Sequence, residues 1–214
     1  MTLTVLVCVH SINDFYDNLL IESLKSLEKQ TYKDFKTLIV LDQCWNKTES
    51  RIKNEIGISC DVVSKPLKQG LSFAKNYGLS KIDTDLVCFL DADDLYVEDK
   101  LEKQINCFIN SDVDFLGTHS LNRHIGDNNF FNSCFNNNQY LEHDEIKNVI
   151  FLENVLTHGS MMINKKILDN LNGYNNIKGM EDWDLWKRAI NEGYLFKQLP
   201  ERLYVYTLNT SVGR

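Results

Sequence analysis

The 214-residue sequence has no long apolar run. None of its hydrophobic stretches approaches the roughly 20 residues that a membrane-spanning helix needs. It also lacks a basic excess. With 23 Lys and Arg against 30 Asp and Glu, the formal charge is −7. That balance argues against a general nucleic-acid binder, which would carry a basic face. The six cysteines form no CxxC pair and no zinc-ligand spacing. Cys8 and Cys88 sit inside apolar runs, where a thiol behaves as a small hydrophobe, so reduced structural thiols are expected. The start, MTLTVLVCVHS, is apolar but has neither a basic n-region nor a small-residue cleavage site. A P-loop and a GxGxxG are missing, and HDEIK lacks the second His of a zinc protease. His124 and His143 are expected at the surface. These absences leave a soluble, cytoplasmic protein with no transmembrane segment as the expectation, one that a partner could still hold at a membrane.

What is present is an alternation of apolar strands and amphipathic helices. Residues 3–9 form a short, β-branched run that reads as a buried strand. A helix follows, with Phe15, Leu19 or Leu20, Leu24 and Leu27 spaced for one face and Asn13 or Asp14 as its N-cap. FKTLIVLD is a second strand, TESRIKNEIG a helix ended by Gly57, and CDVVSK a third strand. GLSFAKNYGLSKI is helical by the spacing of Leu71, Ala74, Gly78 and Ile82, with Gly70 serving backbone geometry. DLVCFLDADD is a fourth strand and the loop leaving it.

YVEDKLEKQINCFIN reads as a helix and DVDFLGTHSL as a strand. Residues 122–139, rich in Asn and Phe, read as a loop or weak hairpin. HDEIKNVIFLENV could be a helix, and GSMMINKKILDNL a strand running into a helix closed by Gly173. EDWDLWKRAINEG is a strong amphipathic helix and QLPERLYVYTL a last strand. This order predicts an α/β fold whose central, mostly parallel sheet has helices on both faces. No repeat or linker interrupts it, and one domain over residues 1–214 is expected.

In such sheets ligands bind beyond the carboxyl ends of the strands. Asp42 and Asp91 both stand at such ends. Asp91 and Asp93 flank the small Ala92, and residues i and i+2 of an extended segment share a face. Their carboxylates can therefore converge on one cation of the Mg²⁺ or Mn²⁺ type, which prefers oxygen ligands and takes phosphate oxygens from a substrate. For a lone DxD, an acidic turn capping the next helix is an equal reading, and the spacing leaves both open. An EF-hand is a poor fit, because Leu95 and Tyr96 stand where a ligand and a glycine are wanted.

The residues around the DxD carry a resemblance over nearly the whole chain. TVLVCVHSIND, SLKSLEKQTYKDF, LIVLDQCWNKT, GLSFAKNYGL, FLDADD, LTHGSMMINKKILDNLNGY and EDWDLWKRAINEGY follow one another in order. The set resembles glycosyltransferase family 2, nucleotide-sugar-dependent enzymes with the GT-A fold, a Rossmann-like sheet. The resemblance implies a metal-dependent, inverting glycosyltransferase that moves a sugar from a nucleotide-sugar, expected to be a UDP-sugar, to a hydroxyl of a glycan or other acceptor. It implies Mn²⁺ or Mg²⁺ as cofactor, a donor-binding half over about 1–120 and an acceptor and catalytic-base half over about 121–214. Asp93 would ligate the metal, with Asp91 assisting through metal or ribose. Val9, His10, Ser11, Asp42 and Ala92 would flank the nucleotide, and Lys75 and Asn76 would support the DxD loop or diphosphate. Asp182 would be the general base, with Glu181 orienting it or the acceptor. His158 and Trp183 are candidates near acceptor or diphosphate. Asp94 reads as a loop or cap residue and Trp186 as core.

The sequence also departs from that family. Gln43, Cys44 and Trp45 stand where Asp, Gly and Ser are common, so base recognition can differ. Thr207 and Asn209 occupy the region where many relatives have Arg-x-His, which leaves the metal with fewer protein ligands. The alternative reading is a noncatalytic nucleotide- or glycan-binding module of the same fold. A sugar-nucleotide pyrophosphorylase comes third, since VHSINDFYDN supplies no Gly-rich basic loop.

Overall fold

A computed structural model describes residues 1–65, 70–127, 129–132 and 141–208. Strand β1 (Leu3–Val9), helix α1 (Asp14–Glu28), β2 (Lys36–Asp42), α2 (Thr48–Glu55), β3 (Asp61–Lys65), α3 (Leu71–Leu79) and β4 (Leu86–Asp91) alternate through the first part of the chain. β3, β2, β1 and β4 lie side by side and parallel. Both faces of this sheet are covered, which explains why the central strands β1, β2 and β4 are apolar in runs rather than at alternate positions. Leu6, Leu38, Val40, Val87 and Phe89 face one core with Ala74, Leu168, Leu185 and Trp186. Their strand neighbours Val5, Val7, Ile39, Leu41, Cys88 and Leu90 face the other, with Leu20, Leu24, Leu27, Leu101 and Ile105.

The second part adds a two-residue strand β5 (Leu95–Tyr96), α4 (Lys100–Ile109), β6 (Phe115–His124), β7 (Phe131–Asn132), α5 (His143–Val149), β8 (Met162–Asn164), α6 (Lys165–Asn170), α7 (Glu181–Asn191) and β9 (Phe196–Leu208). The strand order is β3-β2-β1-β4-β8-β6-β9-β5, with β7 paired to β6. β8 runs antiparallel to both β4 and β6, while β6 and β9 are parallel. Pairing of β6 with β9 shifts register around His119, opposite Pro200 and Glu201. A proline has no N–H to give the ladder, so a bulge there is the expected response. Beyond it, β9 carries Tyr204, Tyr206 and Thr207 past the loop that leaves β4.

Some expectations change. The first helix does cap on Asn13, whose side chain accepts from the Phe15 and Tyr16 amides, and Leu20, Leu24 and Leu27 are buried. Phe15 and Leu71, however, are 45% and 46% exposed and leave the apolar faces assigned to them. The short β5 follows the DxD loop where the sequence suggested only a helix. Within the 122–139 stretch, residues 122–124 continue β6 along β9 and β7 pairs back onto β6; residues 133–140, with Cys134, and Asn209 lie outside the described residues. Among those described, the cysteines are free thiols and no helix is long and apolar enough to cross a membrane.

Candidate active site

Two clefts open at the carboxyl end of the parallel strands and share two lining residues, Asp91 and Leu71. The smaller, about 320 Å³, is lined by Val9, His10, Ser11, Tyr16, Ala92 and Asp93 among others. The larger, about 560 Å³, is lined by Lys75, Asn154, His158, Glu181, Asp182 and Tyr206 among others. Asp91 thus stands between the β1 loop and the first turn of α7.

The loop leaving β4 is fixed from behind. The Asp94 amide donates to the Asp91 carbonyl at 3.1 Å, closing a tight turn. Asp94 itself is wholly buried and accepts from the Tyr204 hydroxyl at 2.7 Å and the Thr207 amide at 2.6 Å. Burial, with Asp93 and Asp91 nearby, pushes its carboxyl well above the ordinary carboxylate range. Thr207 in turn accepts from Arg123 Nε at 2.9 Å, and the Arg123 guanidinium binds Glu22 of α1. Asp94 therefore ties the turn to β9, while Asp91 and Asp93 line the cleft.

On the nucleotide-side cleft, His10 Nδ1 shares a 2.8 Å hydrogen bond with the Asp42 carbonyl. The Ser11 hydroxyl is committed elsewhere: it donates to Asp17 Oδ1 at 2.6 Å. Asp17, which the sequence did not single out, is fully buried and also accepts from Trp45 Nε1 at 2.6 Å and Thr48 Oγ1 at 2.8 Å. Cys44 Sγ faces the Val9 carbonyl at 3.3 Å, and the Trp45 amide donates to the Ser11 carbonyl at 2.9 Å. The unusual Gln43–Trp45 segment, with Gln43 at φ 55°, is thereby stitched to the β1 loop.

On the other side, α7 begins at Glu181 with no side-chain cap from Met180, and its first turn brings Glu181 and Asp182 to the lining of the larger cleft. Lys75, 3% exposed, binds Glu181 Oε1 at 3.0 Å. Asp182 is left with uncharged donors: Trp183 N–H at 2.7 Å on Oδ1 and Asn154 Nδ2 at 3.1 Å on Oδ2. Burial pushes its carboxyl above the ordinary value, against an opposing pull from Lys75. His158 packs against Phe89 and Trp186 and shares Nε2 with the Tyr174 hydroxyl at 2.8 Å. Burial, helped by the Lys75 charge, holds its pKa well below the usual histidine value, so the ring is neutral.

Three predicted site residues, Asp42, Asn76 and Trp183, lie outside the lining of both clefts, and Asp42 is buried at the end of β2. Asn76 brackets the Tyr174 backbone, donating to its carbonyl and accepting from its amide, each at 2.8 Å. Trp183 donates Nε1 to the Ile150 carbonyl at 2.5 Å and packs on the core. Trp186 is fully buried, as its spacing suggested. Asn154, Tyr204 and Tyr206 are additions that no local motif announced.

Residues 5–171 match the sequence family described as glycosyl transferase family 2. The chain belongs to that family. It is 29% identical to the O-antigen biosynthesis glycosyltransferase WbnJ of Escherichia coli, over 89% of this chain and 72% of that protein. Its fold matches S. aureus TarS 1-349 in complex with UDP-GlcNAc, with a TM-score of 0.74 at 18% identity, covering 100% of this chain and 60% of that one. A mannosyltransferase from Pyrobaculum calidifontis, in complex with GDP-Man and Mn²⁺, matches with a TM-score of 0.71 at 17% identity, covering 98% and 57%. The chain thus spans about 60% of the length of these solved proteins. At such identities the likeness establishes the GT-A fold.

Among the described residues no group of three or more His, Cys, Asp or Glu converges as a metal cage. A cation such as Mg²⁺ keeps several waters and commonly takes one or two carboxylates plus substrate phosphates. Asp91 and Asp93, side by side on one cleft wall, suit that kind of site.

Proposed function

We propose that the chain is a metal-dependent, inverting glycosyltransferase that transfers a sugar from a nucleotide-sugar, of the UDP type, to an acceptor hydroxyl. The observation that carries this reading is the position of Asp91 at the junction of the two clefts, with Asp93 in one and Asp182 in the other. The donor half, about 1–120, supplies Val9, His10, Ser11, Asp42 and Ala92 around the nucleotide. The acceptor half, about 121–214, supplies the base. Asp93 and Asp91 would hold Mn²⁺ or Mg²⁺, which when bound supplies charge neutralisation on the departing diphosphate.

The other carboxylates divide their work by environment. Transfer forms a bond between the acceptor oxygen and the anomeric carbon as the bond to the diphosphate breaks. The hydroxyl proton must leave at the same time, and Asp182 is the group to accept it. Its pKa, raised by burial, makes it a stronger base than an exposed carboxylate. Glu181 holds the nearby Lys75 ammonium, so Asp182 is not itself locked in an ion pair. Asn154 and the Trp183 amide orient it. Neutral His158 and the Asn76–Tyr174 bracket shape the wall behind Lys75. A single displacement from the side opposite the diphosphate inverts the anomeric centre.

The test is binding and turnover of UDP-, GDP- and dTDP-sugars with and without Mn²⁺. At least one donor should bind and be hydrolysed or transferred with Mn²⁺ present, and Asp93→Ala should abolish that. No bound donor, together with an Asp93→Ala variant indistinguishable from the parent, would sink the proposal. Binding without turnover across donors and acceptors would favour a noncatalytic module.

A further inference from the structure

We infer that the cleft in front of Asp182 takes an uncharged, hydroxyl-bearing sugar as the reacting residue of the acceptor and disfavours one that carries a carboxylate or phosphate. This rests on the transferase reading above and names its acceptor class. It follows from the charges that line the cleft. Besides Asp91, which the reading above gives to the cation, two carboxylates border it: Glu181 and Asp182. Among the described lining residues, the groups able to carry positive charge are Lys75 and His158.

Neither is available to an anion. The Lys75 ammonium is buried and bound to Glu181 at 3.0 Å. An anionic ligand would have to break that pair and leave Glu181 charged in a buried place, which is costly. His158 is packed between rings and shares Nε2 with the Tyr174 hydroxyl; its burial keeps it neutral. The remaining lining is hydroxyl or amide at Ser120, Asn122, Thr157 and Tyr206, and apolar at Val155 and Leu156. Carboxylate or phosphate recognition usually employs an Arg fork, a Lys or converging N–H groups. The N-terminus of α7 offers such a field, but its first turn already holds Glu181, Asp182 and Asp184. Hydroxyl and amide groups beside apolar surface are instead what a neutral sugar ring requires. Lys178 is exposed next to the lining residue Gly179 and is not part of the lining. The restriction therefore applies to the reacting sugar and not to charges further along the acceptor.

The experiment is saturation-transfer NMR on the full chain with UDP and Mn²⁺, using matched probes. These are methyl glucoside against methyl glucuronide, and N-acetylglucosamine against its 6-phosphate. Each neutral probe should bind at least about ten-fold more tightly than its anionic partner at low salt, as expected where like charges meet at an interface, and the gap should narrow as salt is raised. Equal or tighter binding of the anionic probes overturns the inference. Thr157→Lys, which adds a cation to the lining at a half-buried position, should reduce the gap by about ten-fold; an unchanged gap in a folded variant also overturns it. Turnover separates the two readings. Selective binding of neutral probes by a protein that neither hydrolyses nor transfers any donor would defeat the transferase reading and leave the selectivity standing.

Discussion

Replacing Lys75 by Met isolates the interaction that joins α3 to α7. The Lys75 and Glu181 side chains are 4% and 9% exposed, with a 3.0 Å separation between charged atoms. Removing the ammonium leaves Glu181 in a buried place without its counter-ion. Breaking a buried pair this way costs about 3–5 kcal/mol. For a chain of this size each kcal/mol lowers the melting temperature by roughly 2–4 °C, so the variant should melt about 6–20 °C lower. The double variant Lys75→Met, Glu181→Leu removes both charges and fills the space, and should recover most of the loss, because two well-packed apolar residues often match a buried ion pair. Urea unfolding of the parent, both single variants and the double variant gives the coupling directly. A loss below about 1 kcal/mol for Lys75→Met, a size typical of exposed pairs, would refute the reasoning. So would a double variant no more stable than the singles.

The remaining expectations concern the same site and its supports. Asp182 has a folded-state pKa above its unfolded value. The folded chain thus binds more protons there than the unfolded chain, and stability falls as pH rises through the interval between the two values. Asp182→Asn should therefore be more stable than the parent at neutral pH, with the gap closing below the ordinary carboxylate range; pH-dependent urea titrations check this. Lys100 shows the opposite slope. Burial pushes it down to about 8, with its ammonium on Gln104 and over the Tyr96 ring. Stability should rise with pH from about 8 toward the unfolded lysine value of about 10.4, and Lys100→Met should be more stable than the parent at pH 7, the advantage shrinking as pH rises. At Gly159 a Cβ would collide with the Tyr204 ring and hydroxyl. Gly159→Ala should cost about 1–3 kcal/mol through overpacking, and by displacing the Tyr204 bond to Asp94 it should also weaken Mn²⁺-dependent donor binding, as calorimetry would report.

The sheet was readable because its strands are buried on both faces. Runs such as Leu3–Val9 and Leu86–Asp91 leave no polar alternation to confuse with a surface strand. The DxD turn was readable because it ends such a run, and α7 because its apolar residues keep a helical spacing. What escaped the sequence depends on partners far away in the chain. Asp17 looks like an ordinary first-turn acid of α1, yet Ser11, Trp45 and Thr48 converge on it. Asn154 sits in an unremarkable loop until α7 brings Asp182 to it. Asn76 follows Lys75 by one residue and so points elsewhere, toward Tyr174. Leu71 fits a helical face by spacing, but it opens α3 at the edge of both clefts, where there is no core to cover it.

Transfer by Asp182→Asn, measured beside its affinity for nucleotide-sugar and Mn²⁺, probes the division of labour between the two clefts. The variant keeps the shape of the base and its acceptor atom for the Trp183 amide while losing the ability to take a proton. Donor affinity should stay within about two-fold of the parent, whereas transfer should fall by about 10² to 10⁴, the usual contribution of a general base. Donor binding and transfer lost in equal measure, or transfer left intact, would contradict the assignment of Asp182 as the base.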